Sequence, residues 1–504
     1  MSRSLLPTLA VVATLLGPAG CWSADPGFRP TFTSAPCPAR VTAVVLETAN
    51  CGYLTVLERR DRPNGARIRL FVTRIEPPGE SSPDPMVVVG ETLGNGIEYG
   101  SVAPMAARTH RPILLLEQRG TGLSEPNLTC PEVRARTATL LGLRQSDPRA
   151  STVFLEAVRE CRARLTGGGV DLSAYNLVES AADVADLRQA LGIDEVNLIS
   201  PGTASRIAVE TVRRHPEGIR TAVLDSPYLP GFDDMTHAIA RTEDALAAVG
   251  RACTRAGSCD GTGLDLVASL REAVAKLDRD PVTITVEQPS AGQPVVVLLD
   301  GALLLRAIRQ VMTSNGGRDL PEVPRLIAQV LSGKRLSLTQ PTTFRIVTDE
   351  GMCIGYLPAC EGRFTHGLYY SLLCHDIVPF AAATTPSTDG EPDGYAVAFG
   401  GNPYLDLCDV WDVGRADPET ATPVTSAIPI LIEVGAFDPY TRLDEVKRAT
   451  TGLTHAYLVE VPNHSYNVFG FYECPRNVRR AWLDNPGTAP ADTSCLAEIH
   501  DPFG

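Results

Sequence analysis

The chain contains no G-x-S-x-G pentapeptide, no pair of cysteines in C-x-x-C spacing, and only three lysines, Lys276, Lys334 and Lys447, in 504 residues. The first absence removes the usual signature of a serine nucleophile on a strand-to-helix turn. The second, with no His/Cys cluster at ligand spacing, excludes the common zinc modules. The third leaves positive charge almost wholly to arginine, a bias that reflects base composition more than function. Positive charge is also outweighed: the net charge of −14 excludes nucleic acid as a partner, because nothing here neutralises a run of phosphates. No stretch reaches the ~20 apolar residues of a conventional membrane span. What is present is ordinary globular material, 44% hydrophobic and 21% charged, long enough for one large α/β domain with an insertion or for two domains.

The first residues read MSRSLLPTLAVVATLLGPAGCWSADPG: Arg3, an apolar run Leu5 to Leu16, then small residues. That pattern predicts an export signal over residues 1–21. Ala19-Gly20-Cys21 resembles the end of a bacterial lipobox, which leaves two readings, acylation and membrane attachment at Cys21 or plain cleavage and secretion. Thirteen cysteines are an odd number, and removing Cys21 leaves twelve. Pairing sequence neighbours gives Cys37/Cys51, Cys130/Cys161, Cys253/Cys259, Cys353/Cys360, Cys374/Cys408 and Cys474/Cys495, one of many connectivities open to an exported chain.

Two β-rich segments flank the turn Arg62-Pro-Asn-Gly65 and predict a hairpin. Near-continuous apolar runs follow at 85–90, 112–118, 195–199, 220–226, 428–435 and 455–463, the pattern of a parallel sheet covered on both faces. Helical patterns at 179–191, 205–215, 442–450 and 475–483 alternate with them, which predicts an α/β sandwich. Between Ser226 and Ile428 the alternation stops and helical segments at 244–256, 264–278 and 301–313 take over. The resulting division is a core at 37–228, a mainly helical cap at 229–400, and a second core part at 401–504. A cap so placed lies over the carboxyl ends of the strands, where open α/β sheets bind ligands.

Asp438, in Gly435-Ala-Phe-Asp-Pro-Tyr-Thr441, and His464, in Val461-Pro-Asn-His-Ser-Tyr466, follow consecutive strands. Each alone reads as a helix cap or a loop histidine; together, after a strand–turn–helix, they stand in the order Ser, Asp, His. Leu116-Glu-Gln-Arg-Gly-Thr-Gly-Leu-Ser-Glu-Pro126 resembles the D-Q-R-G-x-G-x-S motif of exported tripeptidyl and prolyl aminopeptidases of the α/β-hydrolase class, with Glu117 for Asp. His215 to Ser226, Gly435 to Pro439 and the tail from Cys474, with Asp492-Thr-Ser-Cys-Leu496, are similar to the same family. The resemblance implies an α/β-hydrolase fold, a TAP-like C-terminal region, no metal or cofactor, and a short peptide or other small molecule bound under the cap. It leaves the oligomeric state open.

Against the family's N-L-x-G-x-S-Y-G-T-R, residues Asn197 to Arg206 align without a gap, and Gly202 falls on the nucleophile. Ser200 and Ala204 keep the small residues the elbow needs, and glycine accepts its positive φ. Ser200 is the best alternative nucleophile, ahead of Thr203 and Ser205. The resemblance places the oxyanion donors around Gly94 and Thr203, where Val89-Gly-Glu-Thr-Leu-Gly-Asn-Gly96 replaces a G-G-P-G-type loop and puts Glu91 near the oxyanion. Asp376, in Cys374-His-Asp376, is a candidate for holding a substrate amine, against a plainer reading as a surface acid beside a disulfide. The expectation is a serine-aminopeptidase relative, impaired or inactive at Gly202. The alternatives are an active hydrolase using Ser200 or a water activated by His464, and a non-catalytic envelope or adhesion protein.

Overall fold

The computed structural model describes residues 27–39, 41, 49–90, 99–232, 234–259, 265–286, 295–333, 364–381, 390–399, 402–468, 472–490 and 492–504. Cys21, Cys353, Cys360 and the segment with Glu91, Thr92, Gly94 and Gly96 lie outside them.

Nine strands form one sheet: β1 (Thr31–Ala35), β2 (Ala49–Leu57), β3 (Arg67–Ile75), β4 (Met86–Val89), β5 (Ile113–Leu116), β6 (Val196–Pro201), β7 (Ile219–Asp225), β10 (Ile430–Gly435) and β11 (Ala456–Val461), in the order β1-β2-β3-β5-β4-β6-β7-β10-β11. A separate hairpin, β8 (Val282–Val286) with β9 (Val295–Leu299), belongs to the cap. The first three strands and β5 pair antiparallel; from β5 to β11 all pairs are parallel. From β4 and β5 through β10 both faces of the parallel part are buried, which is why those strands read as unbroken apolar runs. In β4, Val87 and Val89 join one core cluster, while Met86 and Val88 join the other. Leu114 and Leu116 of β5 divide from Ile113 and Leu115 in the same way.

The chain leaves β4 for β5 on one side and then crosses to β6 on the other. Strand order therefore reverses at β4, and the crevice beyond the carboxyl ends of β4 and β6 is the switch point where such sheets bind ligands. This is the α/β-hydrolase architecture, with helices on both faces and a large cap.

The cap is built from two insertions. Helices Asp234–Ala256, Leu266–Arg279, Gly301–Thr313 and Glu322–Ser332 and the β8–β9 hairpin form the main one. The second, unforeseen from the sequence, comes between β5 and β6: helix Pro148–Gly167 shares the large core cluster with the cap through Phe154 and Val158. Cys37–Cys51, Cys130–Cys161, Cys253–Cys259, Cys374–Cys408 and Cys474–Cys495 are bonded as the neighbour pairing expects.

Candidate functional site

At the end of β6, Gly202 takes φ +52° and opens a 3-10 turn, Gly202–Ala204, that runs into helix Ser205–Arg214. Strand, tight turn and helix are the geometry of a nucleophile elbow, with a backbone that a side chain enters only under strain. The turn is held by Ser205. Its hydroxyl accepts the Tyr228 N–H at 2.9 Å and has the carbonyls of Gly202 (2.5 Å) and Tyr228 (3.1 Å) within reach of its proton. Ser205 is thus a structural staple. Ser200 sits inside β6 opposite Leu224, wholly buried, its hydroxyl without a hydrogen-bond partner among the described residues. Strand alternation puts it on the same face as Leu198, which belongs to the large core cluster. The Thr203 hydroxyl is also buried without a partner.

Asp438 and His464 stand at the carboxyl ends of β10 and β11, and the Phe437 N–H donates to the His464 carbonyl at 2.8 Å, so their loops touch. Asp438 is buried and held by its own turn: one carboxylate oxygen accepts the N–H groups of Tyr440 (2.8 Å) and Thr441 (3.2 Å). Burial raises it to about 6, partly offset by hydrogen bonds from Tyr440, Ser226 and Thr441. His464 is fully buried, and its Nδ1 donates to the Ser465 carbonyl at 2.8 Å. Where the sequence expects the Asp438 carboxylate to orient the ring, the described contact of Nδ1 is this neutral carbonyl, which leaves Nε2 as the basic nitrogen. A carbonyl does less than a carboxylate to stabilise an imidazolium. Burial foremost, and then the Arg318 charge, lower His464 to about 4 despite the Ser465 bond, which leaves it a weak general base at neutral pH. The cap closes over this loop, since the Ser465 N–H faces the Gly316 carbonyl at 3.5 Å.

The loop after β5 explains the motif that carried the resemblance. Arg119 is completely buried, with its guanidinium on both Asp183 oxygens at 2.8 Å and on the carbonyls of Glu58 and Ala174. Ser124 donates to the Glu117 carbonyl and accepts the Phe71 N–H. Gly122 lies so close to Glu117 that a Cβ would fall 1.9 Å from its carboxylate, while that carboxylate accepts the Leu123 N–H. Gln118 donates to the Gly90 carbonyl, at the foot of the segment expected to carry the oxyanion donors. These residues anchor loops through the contacts described.

Asp376 is neither a surface acid nor open to an amine. It is fully buried, and its carboxylate accepts the N–H of Leu177, the first residue of helix Leu177–Ala190, at 3.2 Å. The sequence reading missed the pair Asp225 and Glu433, register partners on β7 and β10. Glu433 takes both Nε and an NH2 of Arg479, and Asp225, raised by burial and then by the Glu433 charge to about 7, accepts the Val468 N–H at 2.9 Å. Its neighbour Ser226, at φ +47°, accepts the Asn467 N–H. The strand-end acid in Leu224-Asp-Ser226 was the available signal.

The fold and site define the class: an α/β-hydrolase scaffold with a strand–turn–helix elbow and an acid and a histidine on late strand ends. Residues 396–495 match the family model described as TAP-like protein. No curated protein matched the chain. Among solved structures, the chain is similar to an α/β hydrolase fold protein from Chitinophaga pinensis (12% identity, 84% of this chain and 95% of that one, TM-score 0.35). It is also similar to a proline iminopeptidase from Mycobacterium smegmatis (12%, 83% and 95%, 0.36). A third is epoxide hydrolase A from Mycobacterium thermoresistibile (14%, 83% and 96%, 0.34).

Proposed function

We propose that this chain is an exported relative of the serine aminopeptidases that binds a small, peptide-like ligand under its cap without turning it over. One observation carries the reading: the residue at the elbow, at φ +52°, is glycine. Removing the serine of a triad costs on the order of a millionfold in kcat. The ring of His464 leans on a carbonyl and is lowered to about 4, which weakens the base as well. Five disulfides support an oxidising compartment, secreted or tethered at Cys21.

A second reading keeps activity in Ser200, favoured by its buried, unpartnered hydroxyl but opposed by its lack of any exposure. The test treats the mature protein and its Gly202→Ser variant with a serine-reactive fluorophosphonate and maps the adduct by mass spectrometry. The proposal expects a silent wild type. Labelling of wild type at Ser200, lost in His464→Ala, would replace it with the second reading.

A further inference from the structure

Although the chain's net charge is −14, arginines crowd the loops of Asp438 and His464. From cap helix Gly301–Thr313, Arg309 stands between two rings, 4.6 Å from the centroid of Tyr440 and 5.0 Å from that of Phe399. Tyr440 is the residue whose N–H holds Asp438, and its ring meets that of Tyr466, two positions past His464, edge-on at 5.5 Å. Arg318, just past the cap turn Ser314–Gly317, stands 5.5 Å from the Tyr472 ring, which meets His464 at 5.2 Å. Each loop is therefore flanked by an aromatic ring with a cap arginine against it. Near Arg318 the half-buried Arg476 is lowered by burial first and then by the charge of Arg108, with Arg479 and Arg318 adding to it, so cations are crowded here.

Arg309 differs from the structural arginines. Arg119, Arg241 and Arg479 are buried against Asp183, Glu445 and Glu433. Arg309 has no carboxylate partner among the described residues, and its Nε is sealed from solvent without an acceptor. Contacts with π faces supply only ~0.5–2 kcal/mol and leave the planar fork unused. Two rings fix that fork in orientation, which lowers the ordering cost of a planar, two-oxygen anion such as a carboxylate. Asp376, the acid proposed to hold an amine, is committed to a helix terminus.

We propose that Arg309 forms an anion-recognising rim at the Asp438 loop that takes the carboxylate of a small organic acid. The inference rests on the reading of this site as a ligand site, and it turns the expected preference from the amine end of a ligand to its acid end.

The test is calorimetric titration of the mature protein with N-acetyl-trialanine, its C-terminal amide, trialanine amide with a free amine, and hexanoate. The acid should bind about tenfold more tightly than its amide, the size of one charge-assisted pair. Arg309→Gln should bring the two within about threefold, with Arg309→Lys in between and unfolding temperatures of all three proteins alike. Hexanoate matching the peptide acid would point to a non-peptide acid, whereas peptide acid alone would point to a peptide terminus; both support the proposal. Equal binding of acid and amide, tighter binding of the free amine, no binding at all, or an acid preference that survives Arg309→Gln would overturn it. Fluorophosphonate labelling of wild type would sink the non-catalytic reading and leave the acid-to-amide ratio standing.

Discussion

Asp438 and His464 are both buried, and burial drives their protons in opposite senses: the carboxyl up to about 6, the imidazole down to about 4. The folded state therefore holds the Asp438 proton more tightly than the unfolded chain, where the ordinary value is 3.8. Ionising it costs stability progressively as pH rises from 3.8 towards 6, and the whole cost, on the order of 2–3 kcal/mol, is present above that window. Asparagine keeps the oxygen that accepts from Tyr440 and Thr441 and removes the charge. Asp438→Asn should accordingly be more stable than wild type in urea at pH 8, by ~1–3 kcal/mol, with the gain absent at pH 4. An equal shift at both pH values would refute the buried-charge account. His464 has the reverse sign: its stability is whole above its ordinary 6.5 and is lost as pH falls towards 4.

At the scale of the element, the loop after β5 is held by an ion network in which Asp183 pairs with both Arg119 and Arg60, and Glu179 lies 3.7 Å from Arg119. Asp183, on helix Leu177–Ala190, takes both Nε and NH2 of the fully buried Arg119. Removing the acid strands a buried guanidinium, so Asp183→Ala should lose ~3–5 kcal/mol in denaturant titration. A loss under ~1 kcal/mol would mean that Glu179 and the carbonyls of Glu58 and Ala174 already satisfy the arginine. The motif around Arg119 was legible as a family mark, but nothing in it showed a structural rather than catalytic role, because its partners lie 55 to 64 residues away. The parallel strands were legible because two buried faces demand unbroken apolar runs. The edge strand Thr31–Ala35 was not, since TFTSA is largely exposed and carries no alternation. Nor was the hairpin β8–β9: five-residue apolar segments such as VVVLL have no period that separates strand from buried helix. Asp376 was misread because its partner, Leu177, lies 199 residues away.

The whole molecule is a sheet and a cap joined by one continuous core and stapled by short-range disulfides. Neighbour pairing succeeded for the five described bridges because each spans 6 to 34 residues. Cys374–Cys408 ties the segment after helix His366–Leu372 to helix Asn402–Trp411. Its closed loop predicts a loss of ~3–4 kcal/mol in the Cys374→Ser/Cys408→Ser protein, read from urea midpoints. A double variant of unchanged midpoint would show that packing around Trp411 alone holds the joint. The chain order of elbow, acid and histidine was also legible, since it depends only on strand ends. Which atom steadies the imidazole was not, because that is set by the local path of the loop at Ser465.

The left-handed backbone of Gly202 also sets what any other residue there would cost. A side chain placed there must be held in a conformation that costs of order 1–3 kcal/mol, which a working hydrolase tolerates because selection maintains turnover. With glycine the elbow holds that conformation without the cost. A Gly202→Ser variant would gain the hydroxyl and the strain together. The turn of this chain therefore forms without strain, and any side chain built on it carries the difference as lost stability.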